Sequence, residues 1–101
     1  MLLEGRVAFV TGGSRGLGRA ICTTLAREGA IVAFNYARSD EDADATVAAI
    51  AATGGRGSAH KVSVLDRAGL VTLVKSLDAA HGKIDILVNN AGFGQVVPLA
   101  L

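Results

Sequence analysis

The sequence is poor in the residues that staple or stiffen small proteins. Its 101 residues include one cysteine, one proline and no tryptophan, and aromatic residues make up 4% of the chain. A single cysteine cannot form an internal disulfide, so packing has to hold the fold together. Cysteine usage of this kind is typical of a reducing compartment, and we expect a cytoplasmic protein.

Neither sign of charge dominates, and no hydrophobic run is long. Ten basic and nine acidic residues give a net charge of +1, which argues against nucleic-acid or membrane-surface binding driven by bulk charge. Glu4 interrupts the short apolar start, so we expect no signal peptide. No apolar run reaches the roughly 18 residues of a membrane span. Metal-ligand spacings of His, Cys and acidic residues are also missing, so we expect no metal site.

Half of the residues are apolar, which is enough for the core of one domain. Apolar runs rich in β-branched residues predict four strands, at residues 6–11, 30–35, 58–64 and 84–88. Helical spacing and end signals predict three intervening helices, over residues 16–28, from 39 to just before 54, and from 66 to just before 82. This alternation predicts an α/β fold: a doubly wound parallel sheet of the Rossmann type, with four strands in the order 3-2-1-4 and helices on both faces.

The two most distinctive stretches follow neighbouring strands of this sheet. The first strand leads into TGGSRGLG at residues 11–18, and the fourth ends at NNAG, residues 89–92. Ligands of such sheets bind where these strand ends meet. A glycine turn that opens a helix suits a diphosphate, because the backbone approaches closely and free N–H groups point outward. The sequence lacks the Gly-Lys-Ser/Thr of a P-loop and the usual G-x-G-x-x-G spacing. A plain tight turn is the alternative.

Together, TGGSRGLG and NNAG resemble the short-chain dehydrogenase/reductase family, which carries T-G-x-x-x-G-x-G and N-N-A-G in this order. The opening of the chain and NYARS at residues 35–39 are most similar to 3-oxoacyl-[acyl-carrier-protein] reductases. The resemblance spans the whole chain. It implies one dinucleotide-binding domain over residues 1–101, incomplete at its C-terminal side. The cofactor-binding residues that we expect on this basis are Gly12, Gly13, Ser14, Arg15, Gly16, Leu17, Gly18, Tyr36, Arg38, Ser63, Val64, Asn90, Ala91 and Gly92.

The same resemblance assigns roles around the glycine loop. Thr11 is expected to brace the loop against the end of the fourth strand, and Asn89 to tie neighbouring strands together. An ordinary turn after a strand is the alternative for Asn89 and Asn90. Ser63 stands where the family often has Asp or Asn against the adenine. Its shorter side chain implies a weaker contact, or one carried by water.

The expected cofactor is NADP(H). An acidic residue about 20 residues past the glycines accepts a hydrogen bond from the 2′-OH of NAD, whereas a nearby arginine accommodates the 2′-phosphate of NADP. Residues 35–38 read NYAR, without a carboxylate, and Asp40 fits a helix start better. Arg38 and Arg15 supply two cations, and in the family a basic residue at the position of Arg15 goes with NADP. The alternative is a pair of solvated surface arginines.

Catalysis in the family uses a Tyr-x-x-x-Lys pair with a Ser and an Asn. The one tyrosine here, Tyr36, is followed four residues later by Asp40, so we expect no catalytic residue in this chain and no activity from it alone. Two hypotheses stand. In the first, the chain is the cofactor-binding half of an NADP(H)-dependent carbonyl reductase whose substrate is engaged only in a longer form. In the second, it is a non-catalytic nucleotide-binding or interaction module. In either case the open edge of the fourth strand favours self-association.

Overall fold

The computed structural model describes residues 1–91. Their four strands are β1 (Val7–Thr11), β2 (Ile31–Tyr36), β3 (Arg56–Lys61) and β4 (Ile86–Val88), and their three helices are α1 (Gly16–Arg27), α2 (Asp40–Ala52) and α3 (Arg67–His81). All strand pairs are parallel, and the order is β3-β2-β1-β4. The structure therefore confirms the predicted α/β fold and its strand order.

The central strands β1 and β2 are buried on both faces, which explains their nearly continuous apolar sequences. Successive side chains of a strand point to opposite faces, so Val10 and Phe9 enter different clusters. On one face, Val10 and Phe34 pack with Cys22 of α1 and Ile50 of α2. On the other face, α3 covers the sheet, and its buried leucines pack against Phe9 and Ala33.

Local hydrogen bonds start two of the helices where the sequence predicts. Ser39 caps α2, because its Oγ accepts from the N–H of Asp42 at 3.1 Å. Asp66 caps α3 in the same way, by accepting from the N–H of Gly69 at 2.9 Å. Gly82 then ends α3 with a left-handed φ of 78°. In contrast, α1 begins without any side-chain cap, at the glycine loop.

The predicted bounds of β3 are wrong. The strand covers Arg56–Lys61 rather than residues 58–64, so Ser63 and Val64 lie in the turn that follows it. The chain leaves the ladder at Val62, whose N–H bonds back to the carbonyl of His60 at 3.0 Å. Its own carbonyl accepts from the side chain of Asn35 at 2.8 Å. The side chain of Asn35 on β2 therefore donates to the Val62 carbonyl, in place of the backbone N–H that would donate if the ladder continued.

Strand β4 forms the edge of the sheet among residues 1–91 and pairs there only with β1. Leu87 on this strand is 36% exposed. Self-association through this edge stays a prediction. Within the same residues, no helix is both long and apolar enough to cross a membrane.

Asp85 joins the start of β4 to the start of β1. One carboxylate oxygen accepts from the N–H of Val7 at 2.8 Å, and the side chain also lies 3.6 Å from the Arg6 guanidinium and 3.3 Å from the Lys83 ammonium. The hydrogen bond from Val7 and the two cations hold the pKa of Asp85 below its ordinary value. The folded state therefore favours the charged carboxylate.

We expect Asp85→Asn to lower the free energy of unfolding at neutral pH, because a neutral amide accepts more weakly and forms no ion pair. Since the folded-state pKa is lowered, the contribution of Asp85 is complete above the ordinary aspartate pKa and disappears as the pH falls through the lowered one. Urea denaturation from about pH 7 to about pH 2 should show the wild type and the variant converging. Asp78→Asn, at an exposed position on α3, is the control. A constant difference at all pH values would contradict this account.

Candidate functional site

The glycine loop between β1 and α1 takes a path that only glycine follows without strain at two points. Gly12 and Gly16 have φ values of 70° and 56°, in the left-handed region. The α-carbon of Gly16 faces open space, because a Cβ added there would meet no heavy atom within 4 Å. Arg15 is exposed beside it, and Leu17 is 70% exposed. The tip of the loop is therefore open to a ligand.

Gly12 and Gly18 have no side chain and therefore let neighbouring segments of the chain pack closely against them. A Cβ on Gly18 would overlap the carbonyl oxygen of Gly12 and lie 2.8 Å from the Asn90 amide nitrogen. A Cβ on Gly12 would lie 3.1 Å from the Cβ of Ala91. The missing side chains let β1, α1 and the segment after β4 meet at one point.

Gly13 is also a packing residue. It is buried, and an added Cβ would lie 2.5 Å from the Cβ of Phe34 and 2.9 Å from the Sγ of Cys22. The α-carbons of Gly12, Gly13 and Gly18 thus face protein, whereas that of Gly16 faces solvent.

Thr11 forms the brace that the resemblance implies. Its side chain is fully buried, and its Oγ1 accepts from the N–H groups of Asn90 at 2.8 Å and Ala91 at 3.0 Å. The same oxygen lies 3.2 Å from Oδ1 of Asn89, which links the ends of β1 and β4. Asn90 adds a hydrogen bond from its amide nitrogen to the Gly12 carbonyl at 3.1 Å. These contacts hold the two motifs side by side.

Asn35 is a positioning residue that the sequence analysis did not identify. It is 1% exposed at the end of β2. Its Oδ1 accepts from the N–H of Gly12 at 3.0 Å, while its Nδ2 donates to the carbonyl of Val62 at 2.8 Å. One side chain therefore joins the glycine loop to the turn after β3. A polar residue ending a buried apolar run was the available signal, since such a group needs internal partners.

Arg19 and Thr46 fix the loop to α2, and neither was predicted. Arg19 donates to the Ser14 carbonyl at 2.7 Å and to Oγ1 of Thr46 at 2.9 Å. The Thr46 hydroxyl lies 2.8 Å from the Ser14 carbonyl and 3.0 Å from the Gly13 carbonyl. The carbonyls of Gly13 and Ser14 are thereby drawn toward α2.

This arrangement fits an anion at the start of α1. The N–H groups of the first helical turn have no carbonyl partner within the helix, and the residue before it, Arg15, supplies no side-chain cap. The loop carbonyls of Gly13 and Ser14 are already hydrogen-bonded, and the space beside Gly16 is open. Free donors and the positive end of the helix dipole suit a diphosphate.

The other expected contacts lie at the same end of the sheet. Arg38 is exposed just after β2, while Tyr36, the last residue of that strand, donates its hydroxyl hydrogen to Asp40 at 2.8 Å. After β3, Ser63 accepts through its Oγ from the N–H of Leu65 at 3.1 Å, and Val64 is partly buried. Gly92 lies outside the described residues. Cofactor binding by these groups stays a prediction.

Cys22 is not placed for nucleophilic chemistry. It is fully buried in the core beneath the loop, and burial raises the pKa of its thiol to about 12. The reactive thiolate is therefore disfavoured at neutral pH. Over residues 1–91, no three His, Cys, Asp or Glu side chains are grouped so that they could hold a metal ion.

Comparison with known proteins gives a family match along almost the whole chain. The model of the short chain dehydrogenase family matches residues 6–100. An uncharacterized oxidoreductase of Methylorubrum extorquens is 47% identical over 90 residues, which are 89% of this chain and 36% of that protein. A 3-oxoacyl-[acyl-carrier-protein] reductase of Synechocystis sp. is 44% identical over 89% of this chain and 36% of its own length. The chain thus spans about a third of these relatives.

Another relative matches over nearly its entire length. The short-chain dehydrogenase/reductase homolog YusS of Bacillus subtilis is 39% identical over 98% of this chain and 91% of its own. Among solved structures, a short chain dehydrogenase from Burkholderia cenocepacia in complex with NADP is 44% identical, with a TM-score of 0.87, over 98% of this chain and 40% of that one.

The packing role of Gly18 is testable by its effect on stability. We expect Gly18→Ala to lower the free energy of unfolding by about 3 kcal/mol, because the added methyl group overlaps the Gly12 carbonyl. Gly16→Ala is the matched control, and should cost about 1–2 kcal/mol for a left-handed residue in open space. Urea denaturation monitored by circular dichroism measures both. Equal losses in the two variants would show that the close approach of Gly18 to the Gly12 carbonyl does not exclude a side chain at residue 18.

Proposed function

This chain belongs to the short-chain dehydrogenase family, and we propose that it forms the NADP(H)-binding portion of a reductase for carbonyl compounds. The proposal treats residues 1–101 as one domain, incomplete at its C-terminal side. One observation carries it: the uncapped start of α1 opens onto free space beside Gly16, with an exposed arginine next to it. A dinucleotide needs this combination of free N–H donors and cations.

Within this proposal, each group of residues has a separate task. The N–H groups at residues 16–18 bind the diphosphate, and Arg15 and Arg38 bind the 2′-phosphate. Ser63 and Val64 line the adenine, while Asn90, Ala91 and Gly92 lie along the adenosine ribose. When bound, the nicotinamide supplies or accepts a hydride. The NADP complex of the Burkholderia cenocepacia relative supports the choice of cofactor.

We propose a 3-oxoacyl thioester as the carbonyl substrate of a longer form. The support is the similarity to the 3-oxoacyl-[acyl-carrier-protein] reductase of Synechocystis sp., of which this chain spans 36%. The proton donor and the specificity loops then belong to sequence beyond residue 101. In that division of labour, the present chain binds and orients the dinucleotide.

A second candidate function is a non-catalytic nucleotide-binding or interaction module. The near full-length match to the Bacillus subtilis homolog favours it, because that relative is of similar extent to this chain. The coding sequence downstream of Leu101 discriminates between the two. An open frame with a Tyr-x-x-x-Lys pair supports the reductase, whereas a stop codon with a folded product supports the module.

The wild type should bind NADPH more tightly than NADH. A hydrogen bond to a charged group contributes about 1.5–3 kcal/mol, less where solvent screens it. We therefore expect Arg15→Ala and Arg38→Ala each to weaken NADPH binding by about tenfold and to leave NADH binding almost unchanged. Isothermal titration calorimetry with both cofactors measures the effect.

The matched control for the two arginine variants is Arg56→Ala. Arg56 is also exposed but begins β3, at the opposite end of the sheet. The assignment of Arg15 and Arg38 fails if the wild type binds the two cofactors equally. It also fails if each variant loses the same affinity for NADH as for NADPH.

The purified chain alone should not oxidise NADPH in the presence of ketones or 3-oxoacyl thioesters. A general acid aligned with the carbonyl typically contributes about 10²–10⁴-fold. The one tyrosine, Tyr36, is the last residue of β2, and its hydroxyl is bonded to Asp40 at the end of the sheet assigned to adenosine. Loss of NADPH absorbance over a carbonyl panel is the assay. NADPH oxidation that co-purifies with the chain and disappears in Gly18→Val would contradict the proposal that this chain binds the dinucleotide but lacks the proton donor.

A further inference from the structure

The start of α2 is an acidic surface next to the proposed 2′-phosphate site. Its first turn contains Asp40, Glu41 and Asp42, and Arg38 precedes it by two residues. The helix dipole favours these carboxylates. A phosphate dianion held by Arg38 would nevertheless meet like charge at close range. The proposed preference for NADPH therefore requires that this negative charge be offset.

Two of these carboxylates have a basic partner on another element. Asp42 lies 3.8 Å from the guanidinium of Arg19 on α1. Asp40 lies 3.3 Å from the ammonium of Lys61, the last residue of β3, and it also accepts the hydrogen bond from Tyr36. The side chain of Asp40 is thus held between the ends of β2 and β3.

Asp40 is the acidic residue that comes first after β2. In related sheets, a carboxylate near this strand end accepts a hydrogen bond from the 2′-OH of NAD. In this chain the Asp40 carboxylate is already engaged, at 2.8 Å by the Tyr36 hydroxyl and at 3.3 Å by Lys61. Its pairing decides whether it acts as a free anion toward the ribose.

We propose that Lys61 is a specificity-determining residue, which favours NADPH over NADH by pairing with Asp40 and offsetting its charge. The inference rests on the proposed function, since it concerns the same cofactor site. Without Lys61, the charge of the Asp40 carboxylate would repel the 2′-phosphate of NADPH. Its Oδ2, the oxygen that does not accept from Tyr36, would be available to accept from the 2′-OH of NADH.

The protonation states agree with this role. The hydrogen bond from Tyr36, followed by contact with Lys61, lowers the pKa of Asp40, so the carboxylate is charged at neutral pH and requires a counter-charge. The same hydrogen bond raises the pKa of Tyr36 and keeps its hydroxyl a donor. The side chains of Lys61 and Asp40 are 54% and 65% exposed, so the effect on affinity is modest and depends on salt.

The experiment compares the ratio Kd(NADH)/Kd(NADPH) among variants of the whole chain. We expect Lys61→Met to reduce this ratio by about threefold to fivefold at low ionic strength. Asp40→Asn should raise the ratio, and in that background Lys61→Met should have no further effect. Lys75→Met, at an exposed position on α3, is the matched control.

Two results would overturn the role of Lys61. One is an identical ratio in Lys61→Met and Lys75→Met. The other is an undiminished effect of Lys61→Met in the Asp40→Asn background, which would mean that Lys61 contacts the phosphate directly. If the wild type has a Kd(NADH)/Kd(NADPH) ratio of one, the proposed preference for NADPH is contradicted. The change in this ratio caused by Lys61→Met tests the Lys61–Asp40 pair separately.

A measurement without cofactor keeps the pair testable on its own. NMR titration of the Asp40 carboxyl should show a higher pKa in Lys61→Met than in the wild type, because the neighbouring cation has been removed. The pKa should not change in Lys75→Met. An unchanged value in Lys61→Met would show that Lys61 does not offset the charge of Asp40, and would overturn the proposal.

Discussion

The architecture of the site depends on the approach of the first turn of α1 to the end of β1. The α-carbon of Gly18 packs against the carbonyl of Gly12, with no room between them for a methyl group. That carbonyl also accepts from the side chain of Asn90, which follows β4. A helix, a loop and a strand end thus share one contact. The direction in which α1 points its free N–H groups follows from it.

Buried side chains maintain this contact where the backbone ladder has ended. Thr11 accepts from the backbone after β4, Asn35 joins the loop to the turn after β3, and Thr46 bonds the loop from α2. Among residues 1–91, no buried side-chain nitrogen or oxygen lacks a hydrogen-bond partner. A satisfied network of this kind stiffens the structure around it. The loop is therefore organised before any ligand arrives.

Sequence patterns predicted the elements and the strand order, because alternating apolar runs and helix caps are local signals. They did not predict the end of β3, since the chain leaves the ladder there through Asn35, which lies 27 residues from Val62. The roles of Arg19 and Thr46 were not predicted for the same reason, because their hydrogen-bond partners are up to 33 residues away in the sequence. The glycines were identified, but the sequence did not distinguish Gly16, which faces open space, from Gly13 and Gly18, which face protein.

The candidate site combines two kinds of contact with different sensitivity to substitution. The part assigned to the diphosphate consists of backbone groups held by buried residues, so substitution at Thr11, Asn35 or Gly18 disturbs the fold together with the site. The part assigned to the 2′-phosphate consists of exposed side chains at the ends of β2 and β3, where Lys61 is 54% exposed. Surface substitutions of this kind change stability little. Substitutions that change the charges on this surface can therefore alter the preference for NADPH over NADH. The loop assigned to the diphosphate, which both cofactors contain, is meanwhile held in place by packing.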